Sequence, residues 1–409
     1  MKVCLYLILF TFGLTAGASA LVQPDISAIG DFRAFTGNWK DSSGGKTPRN
    51  GNLNMSFKEL ELAIAGYLNP YAKGWITVST PGTGFSIEEA YATIFKGLPL
   101  KSELRAGQFL VDFGKLNLNH AHAFPFVDRP IAERVLLGSD GYIDQGVNWD
   151  FLLPTNFYSK VSFSVLKGMI FTANDTANDT SSNKLLNRNT EQPIYNGHWN
   201  VFVPIGDKGD LDVGVSGLYG RYKGKNAYGT GDSIAGFRNL NAIMGGIDAK
   251  YKIKWSDYTA LILQGEFISN HRDLFDPVNS SFRTISNYAA FAFFDYRFWK
   301  RYNLGAMIDR APGIYDNAAD DYEQNVPAVL SNTTRAPFDD KNSTVAYSVY
   351  TGFSLLEETT LFRLVARYAK FNISDPALLT VPTMTSKPGE FSLVLQMIFS
   401  MGPHKPHEF

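Results

Sequence analysis

From about Asp25 to Met401 the chain alternates apolar and polar residues in short runs, and the breaks between runs are alternately short and long. A side-chain period of two puts successive residues on opposite faces of a strand. Leu60, Leu62 and Ile64 thus oppose Glu59 and Glu61. Ile247, Ala249, Tyr251 and Ile253 oppose Asp248, Lys250 and Lys252, and Leu261, Leu263 and Phe267 oppose Gln264 and Glu266. Tyr288, Phe294, Tyr296 and Phe298 oppose Asp295 and Arg297. The pattern predicts an all-β chain of about sixteen strands, within a range of roughly 14–18.

A sheet with one apolar face and a rhythm of short and long connections is expected to close into a transmembrane antiparallel β-barrel. No open edge can sit in hydrocarbon. An even strand number leaves both chain ends on the periplasmic side, so the long connections are extracellular. The apolar face meets outer-membrane lipid. The opposite face, with Glu59, Glu61, Asp248, Lys250, Glu266, Asp295 and Arg297, is expected to line a polar, water-filled pore. Tyr67, Tyr71, Trp75, Tyr158, Trp255, Tyr258, Phe298, Trp299 and Tyr302 recur near strand ends, as interfacial aromatic belts do.

The fifth strand is expected over Leu104–Phe113, and the third extracellular connection over Gly114–Tyr142. Within that connection a short helix is expected over Pro130–Leu137, with proline in its first turn and Gly138 after its end. Its apolar residues would pack on a wall, leaving Asp128, Arg129, Glu133 and Arg134 to form a pore constriction. His120 and His122 are spaced to reach one metal ion from an extended segment. The alternative is that they position the loop. His404 and His407 are a second such pair, at the other end of the barrel.

The stretch Leu104–Asn117 (LRAGQFLVDFGKLN) resembles a strand of phosphate-selective-type bacterial porins. Together with Phe126–Pro130, Asp144–Trp149 and the tail Gly402–Phe409, it is similar to a branch of outer-membrane proteins labelled zinc-regulated and sometimes TonB-dependent. The resemblance implies a porin whose third loop folds into the barrel. Two features depart from it. The strands lack a dense ladder of inward Arg and Lys, which argues against phosphate selectivity. No plug domain is expected before the first strand, so a plugged receptor of about 22 strands is not the expected architecture.

Residues 1–20 read as a secretory signal: Lys2, an apolar run to Leu14, and the small-residue site Ala18-Ser19-Ala20. The barrel is expected over 21–401 and a periplasmic tail over 402–409, in the bacterial outer membrane. The single cysteine, Cys4, lies in the signal, so no disulfide is expected in the mature chain. A formal net charge of −1 gives no electrostatic footprint for nucleic acid. Gly44-Gly45-Lys46-Thr47 has Lys40 where a phosphate loop needs its first glycine. The acidic run with Asp316, Asp320, Asp321 and Glu323 lacks a calcium-loop spacing.

No Ser/His/Asp set converges at one depth, so an enzyme is not expected, and no cofactor is implied. The leading expectation is a porin for passive diffusion of small polar solutes or ions. The alternatives are a structural or adhesive protein that binds a partner through its long loops, and a metal-linked, zinc-related uptake channel. Expected partners are lipid, the barrel-assembly machinery, small solutes and, through self-association, further copies of the chain.

Overall fold

A computed structural model describes residues 24–38, 51–80, 84–168, 193–225, 237–276, 281–313, 341–356, 359–374 and 389–402. Its strands are β1 (Asp25–Gly37), β2 (Asn54–Asn69), β3 (Ala72–Thr80), β4 (Ser86–Ile94), β5 (Glu103–Leu110), β6 (Ile143–Leu152), β7 (Tyr158–Leu166) and β8 (Ile194–Ile205). They continue as β9 (Gly209–Lys225), β10 (Phe237–Ser256), β11 (Thr259–Asp276), β12 (Ser281–Phe298), β13 (Tyr302–Pro312), β14 (Ser343–Leu356), β15 (Thr360–Asn372) and β16 (Gly389–Met401). Each pairs antiparallel with its sequence neighbours, and β1 pairs with β16 to close the cylinder. Closure gives every strand a partner on both sides, which hydrocarbon demands. The one α-helix among the described residues, α1 (Ile131–Leu137), lies between β5 and β6.

Alternation settles the faces. Ile243, Ile247, Leu263, Phe267, Phe294 and Ile308 are exposed on the outside, while Met244, Asp248, Gln264, Glu266, Phe293 and Met307 are buried inside. The outer apolar surface ends in aromatic clusters near the short turns, where Phe298 stacks on Tyr302 and Tyr302 on Phe353. Tyr288 stacks on Phe267 towards the opposite end. A closed barrel with this exterior is a protein of the bacterial outer membrane. No described helix is long and apolar enough to cross a membrane.

Three expectations change. The fifth strand ends at Leu110 rather than Phe113, because Val111–Gly114 turns inward. Strands β9 to β12 run 17 to 20 residues, longer than their alternating cores suggest. The inner face is not uniformly polar: Ile262, Phe291, Phe293, Met307 and Tyr350 point inward and are buried. They belong to one apolar cluster with Phe113, Leu116, Phe124, Phe126, Ile131 and Val135 from the β5–β6 connection. The interior therefore holds a packed core rather than water alone.

The signal expected at 1–20, the tail expected after Gly402 and most of the long connections lie outside the described residues. So do Gly44–Thr47, the acidic run at 316–323 and the histidine pair His404 and His407.

Candidate functional site

The connection from Val111 to Tyr142 crosses the interior and is tied to both walls. At its start, Asp112 accepts from Lys160 Nζ at 2.9 Å and Ser162 Oγ at 2.7 Å on β7. Burial opposes the charge on Asp112, but Lys160 and Arg105 overcome it and hold its carboxyl well below the usual carboxylate range. The Asp112 carbonyl accepts from Asn196 on β8. The amides of Lys115 and Leu116 donate to Glu266 on β11 at 3.0 and 2.6 Å. Lys115 Nζ also pairs with Asp212 on β9. Asn117 clasps the two ends of the segment, donating to the Val111 carbonyl and accepting from the Tyr142 amide.

The middle of the segment reaches the strands around the β1–β16 seam. Arg363 on β15 donates to the His122 carbonyl at 2.9 Å, and Arg33 on β1 pairs with Asp128 at 2.7 Å. Those two arginines belong to one network. Arg363 donates to Gln396 on β16, Gln396 donates to Asp31, and Asp31 pairs with Arg33. Burial opposes the Asp128 charge, yet Arg33, with Arg134 and Lys58, keeps its carboxyl well below the ordinary range.

Helix α1 has seven residues and is far too short to persist alone. Its N-terminal amides, of Ile131 and Ala132, donate to the buried carboxylate of Asp309 on β13, the second at 2.9 Å. A negative charge there also suits the helix dipole. Its C-terminus closes at Gly138, whose φ of +112° is a conformation L side chains rarely adopt. Beside it, Phe126 meets Phe293 and Tyr350 edge-on at 5.1 and 5.6 Å between ring centres. Burying each such side chain contributes about 1.5–3 kcal/mol.

The four residues expected at a constriction separate into two groups. Arg129 and Glu133 pair with each other at 2.6 Å and are both buried. Arg129 also donates to the Asn119 carbonyl and lies 5.2 Å from the Phe124 ring centre. Burial raises the Glu133 pKa despite that partner. Asp128 retains 21% side-chain exposure, and Arg134 is half-buried near it. The residues expected to line the bore all lie on the inner face. Glu59 and Arg297 are half-buried, while Glu61, Asp248, Lys250, Glu266 and Asp295 are buried. Glu266 is engaged by the loop, and Asp295 by Arg297 and Asn303.

His120 precedes a single 3₁₀ turn at Ala121–Ala123, and His122 is its central residue. Their rings are stacked, 5.8 Å apart. His120 reaches Glu88 and Glu89 on β4, and both histidines approach Glu61 on β2. Burial would lower the His120 pKa, but Glu61, Glu88 and Glu89 raise it well above its ordinary value.

Sequence reasoning missed Asp31, Arg33, Asp112, Asp309 and Arg363 as anchors. Parity places Arg33, Asp309 and Arg363 on inner faces, but nothing local names their partners. The adjacent pair Glu88-Glu89 was a usable signal, since two consecutive acidic residues break the alternation of a half-apolar strand.

The fold is that of the outer-membrane porins and channels. The channel DcaP of Acinetobacter baumannii superposes with a TM-score of 0.56, at 14% identity over 92% of this chain and 97% of that one. An anion-selective porin from Comamonas acidovorans gives 0.55, at 10% identity over 93% and 99%. Identities this low establish the fold alone. In sequence, an uncharacterized protein of Aquifex aeolicus is 29% identical over 305 residues, which is 70% of this chain. The matched part spans 64% of that relative's length. No family model matches the chain.

Proposed function

We propose that the protein is a passive channel for small polar solutes or ions, with residues 111–142 as a fixed internal barrier that sets the free cross-section. The observation that carries this reading is the tethering of one connection to opposite walls, by Glu266 and Asp212 on one side and Arg33 and Arg363 on the other. A loop held this way narrows the bore without a moving part. Charge preference then rests on the half-buried members of the expected constriction, Asp128 and Arg134. Arg129 and Glu133 act as internal struts. Removing one partner of such a buried pair costs about 3–5 kcal/mol, because the other charge is left uncompensated.

The resemblance to porins with an infolded third loop supports this role, as does the shared fold of the solved channels. The zinc-regulated branch rests on the motifs at 104–117, 126–130 and 144–149. Insertion by the barrel-assembly machinery and self-association belong to the same proposal. The adhesive alternative depends on connections at 39–50, 169–192, 314–340 and 375–388, outside the described residues.

Planar-bilayer recording tests the proposal. Purified protein should give discrete conductance steps in simple salt, and variants that free the loop should give larger ones. Membranes that stay silent with correctly folded protein would overturn it.

A further inference from the structure

Consecutive residues of a regular strand point to opposite faces. Glu88 and Glu89 do not. Glu88 lies 3.1 Å from His120 Nδ1, and Glu89 lies 3.0 Å from His120 Nε2. The pairing of β3 with β4 shows why. Thr77 faces Glu89 while the next residue, Val78, faces Ile87. Glu88 is the extra residue of a β-bulge, a device that re-aims a side chain. From β2, Glu61 completes the group, 3.6 Å from His120 Nδ1 and 3.2 Å from His122 Nδ1.

Three segments remote in sequence thereby bring ligand atoms of Glu61, Glu88 and His120 within 4.8 Å of one another. Donors about 2.0–2.1 Å from a tetrahedral zinc ion stand about 3.4 Å apart. The nitrogen–oxygen separations of 3.1 and 3.6 Å at His120 Nδ1 bracket that spacing. The other ring nitrogen of His120 meets Glu89, which is buried. A histidine that donates its far N–H to a carboxylate has its ring fixed and its near nitrogen made a better ligand.

We propose that Glu61, Glu88 and His120 form a binding site for a divalent transition-metal ion, with His122 as a further donor and Glu89 as the residue that orients His120. Mixed imidazole and carboxylate donors suit zinc and its neighbours, whereas calcium and magnesium take oxygen alone. Three carboxylates around two imidazoles also leave net negative charge for a cation to balance. His120, His122 and Glu88 retain 15%, 17% and 12% side-chain exposure, so an ion can reach them from the bore. Bound there, it would fasten the internal segment to β2 and β4 through its two histidines. The site does not depend on the channel reading. A barrel that conducts but takes no metal overturns the site alone.

The experiment is equilibrium dialysis of the full chain, folded in detergent, against micromolar zinc with elemental analysis. Cobalt substitution, read by visible absorption, reports the donor set. One zinc per chain is expected, retained against millimolar calcium and magnesium. His120→Ala with His122→Ala should weaken binding by at least about 100-fold, and Glu89→Gln by about 10–100-fold, as for other outer-shell partners. His404→Ala with His407→Ala should leave binding intact. If the double histidine variant does not fold, shown by loss of heat-modifiable gel mobility, Glu88→Gln carries the same test. Three results would overturn the proposal: no stoichiometric zinc in the folded wild type, affinity unchanged in the His120/His122 or Glu88 variants, or equal displacement by calcium.

Discussion

Gly114 and Glu266 lie so close that no side chain fits between them. A Cβ on Gly114 would stand 2.2 Å from Glu266 Oε2, and its φ of +71° is left-handed. The same carboxylate accepts the next two amides, of Lys115 and Leu116. Gly114→Ala should therefore release the start of the internal segment while leaving the barrel wall intact. The left-handed backbone alone costs about 1–3 kcal/mol. The expected result is a larger single-channel conductance and protease cleavage within 111–142, with heat-modifiable mobility retained. Wild-type conductance in this variant would show that Glu266 moves aside at no cost to the barrier.

Asp309 receives two buried amides at the start of α1. Asp309→Ala strands both, at a cost of about 1–3 kcal/mol per unsatisfied group. Hydrogen exchange at residues 131–137 should accelerate, while exchange in β12 to β14 stays slow. Equal protection in variant and wild type would show that apolar packing of Phe126 and Ile131 suffices.

The pairing of Asp128 with Arg33 fixes a pH window. Asp128 has a depressed pKa in the folded chain, held by Arg33 with Arg134 and Lys58 against the opposing effect of burial. A depressed carboxylate contributes stability above its unfolded pKa of about 3.9, and loses it only as pH falls through the lower folded value. Asp128→Asn removes the charge at every pH. Wild type and variant should thus differ in conductance by a constant ratio between about pH 5 and 8 and converge only in strong acid. Convergence already near pH 6 would mean that Arg33 does not hold the carboxylate.

Arg134 and Arg129 should behave differently when reversed. Arg134→Glu, at a half-buried position beside Asp128, is expected to shift the reversal potential in a salt gradient towards cation preference. Arg129→Glu instead places a second carboxylate against buried Glu133. It should raise current noise or lower the yield of folded barrel before it changes selectivity. Equal selectivity shifts from the two variants would place Arg129 in contact with the permeating ions.

The strands were legible because lipid and interior impose opposite demands on every other residue, as Ile247 and Asp248 show. The short helix was legible for local reasons: Pro130 before its first turn and Gly138 after its last. The interior was not. Phe291 and Phe293 read as ordinary strand aromatics, since period two says which side they face but not whether water or protein lies there. The partners of the internal segment lie far off in sequence, 95 residues for Arg33 with Asp128 and 178 for Asp309 with Ile131. No local pattern encodes such a distance. The early end of β5 has the same origin, because Asp112 leaves the strand for Lys160 and Ser162 on β7, two strands along the wall.

The hydrogen-bonded chain from Arg363 through Gln396 and Asp31 to Arg33 bridges the place where the last strand meets the first. Two moorings of the internal segment, at Arg33 and Arg363, therefore belong to a network that is complete only once the chain has joined its own ends. The barrier is thus fully braced only in the sealed cylinder, so sealing the wall and fixing its contents are one event on that side of the bore.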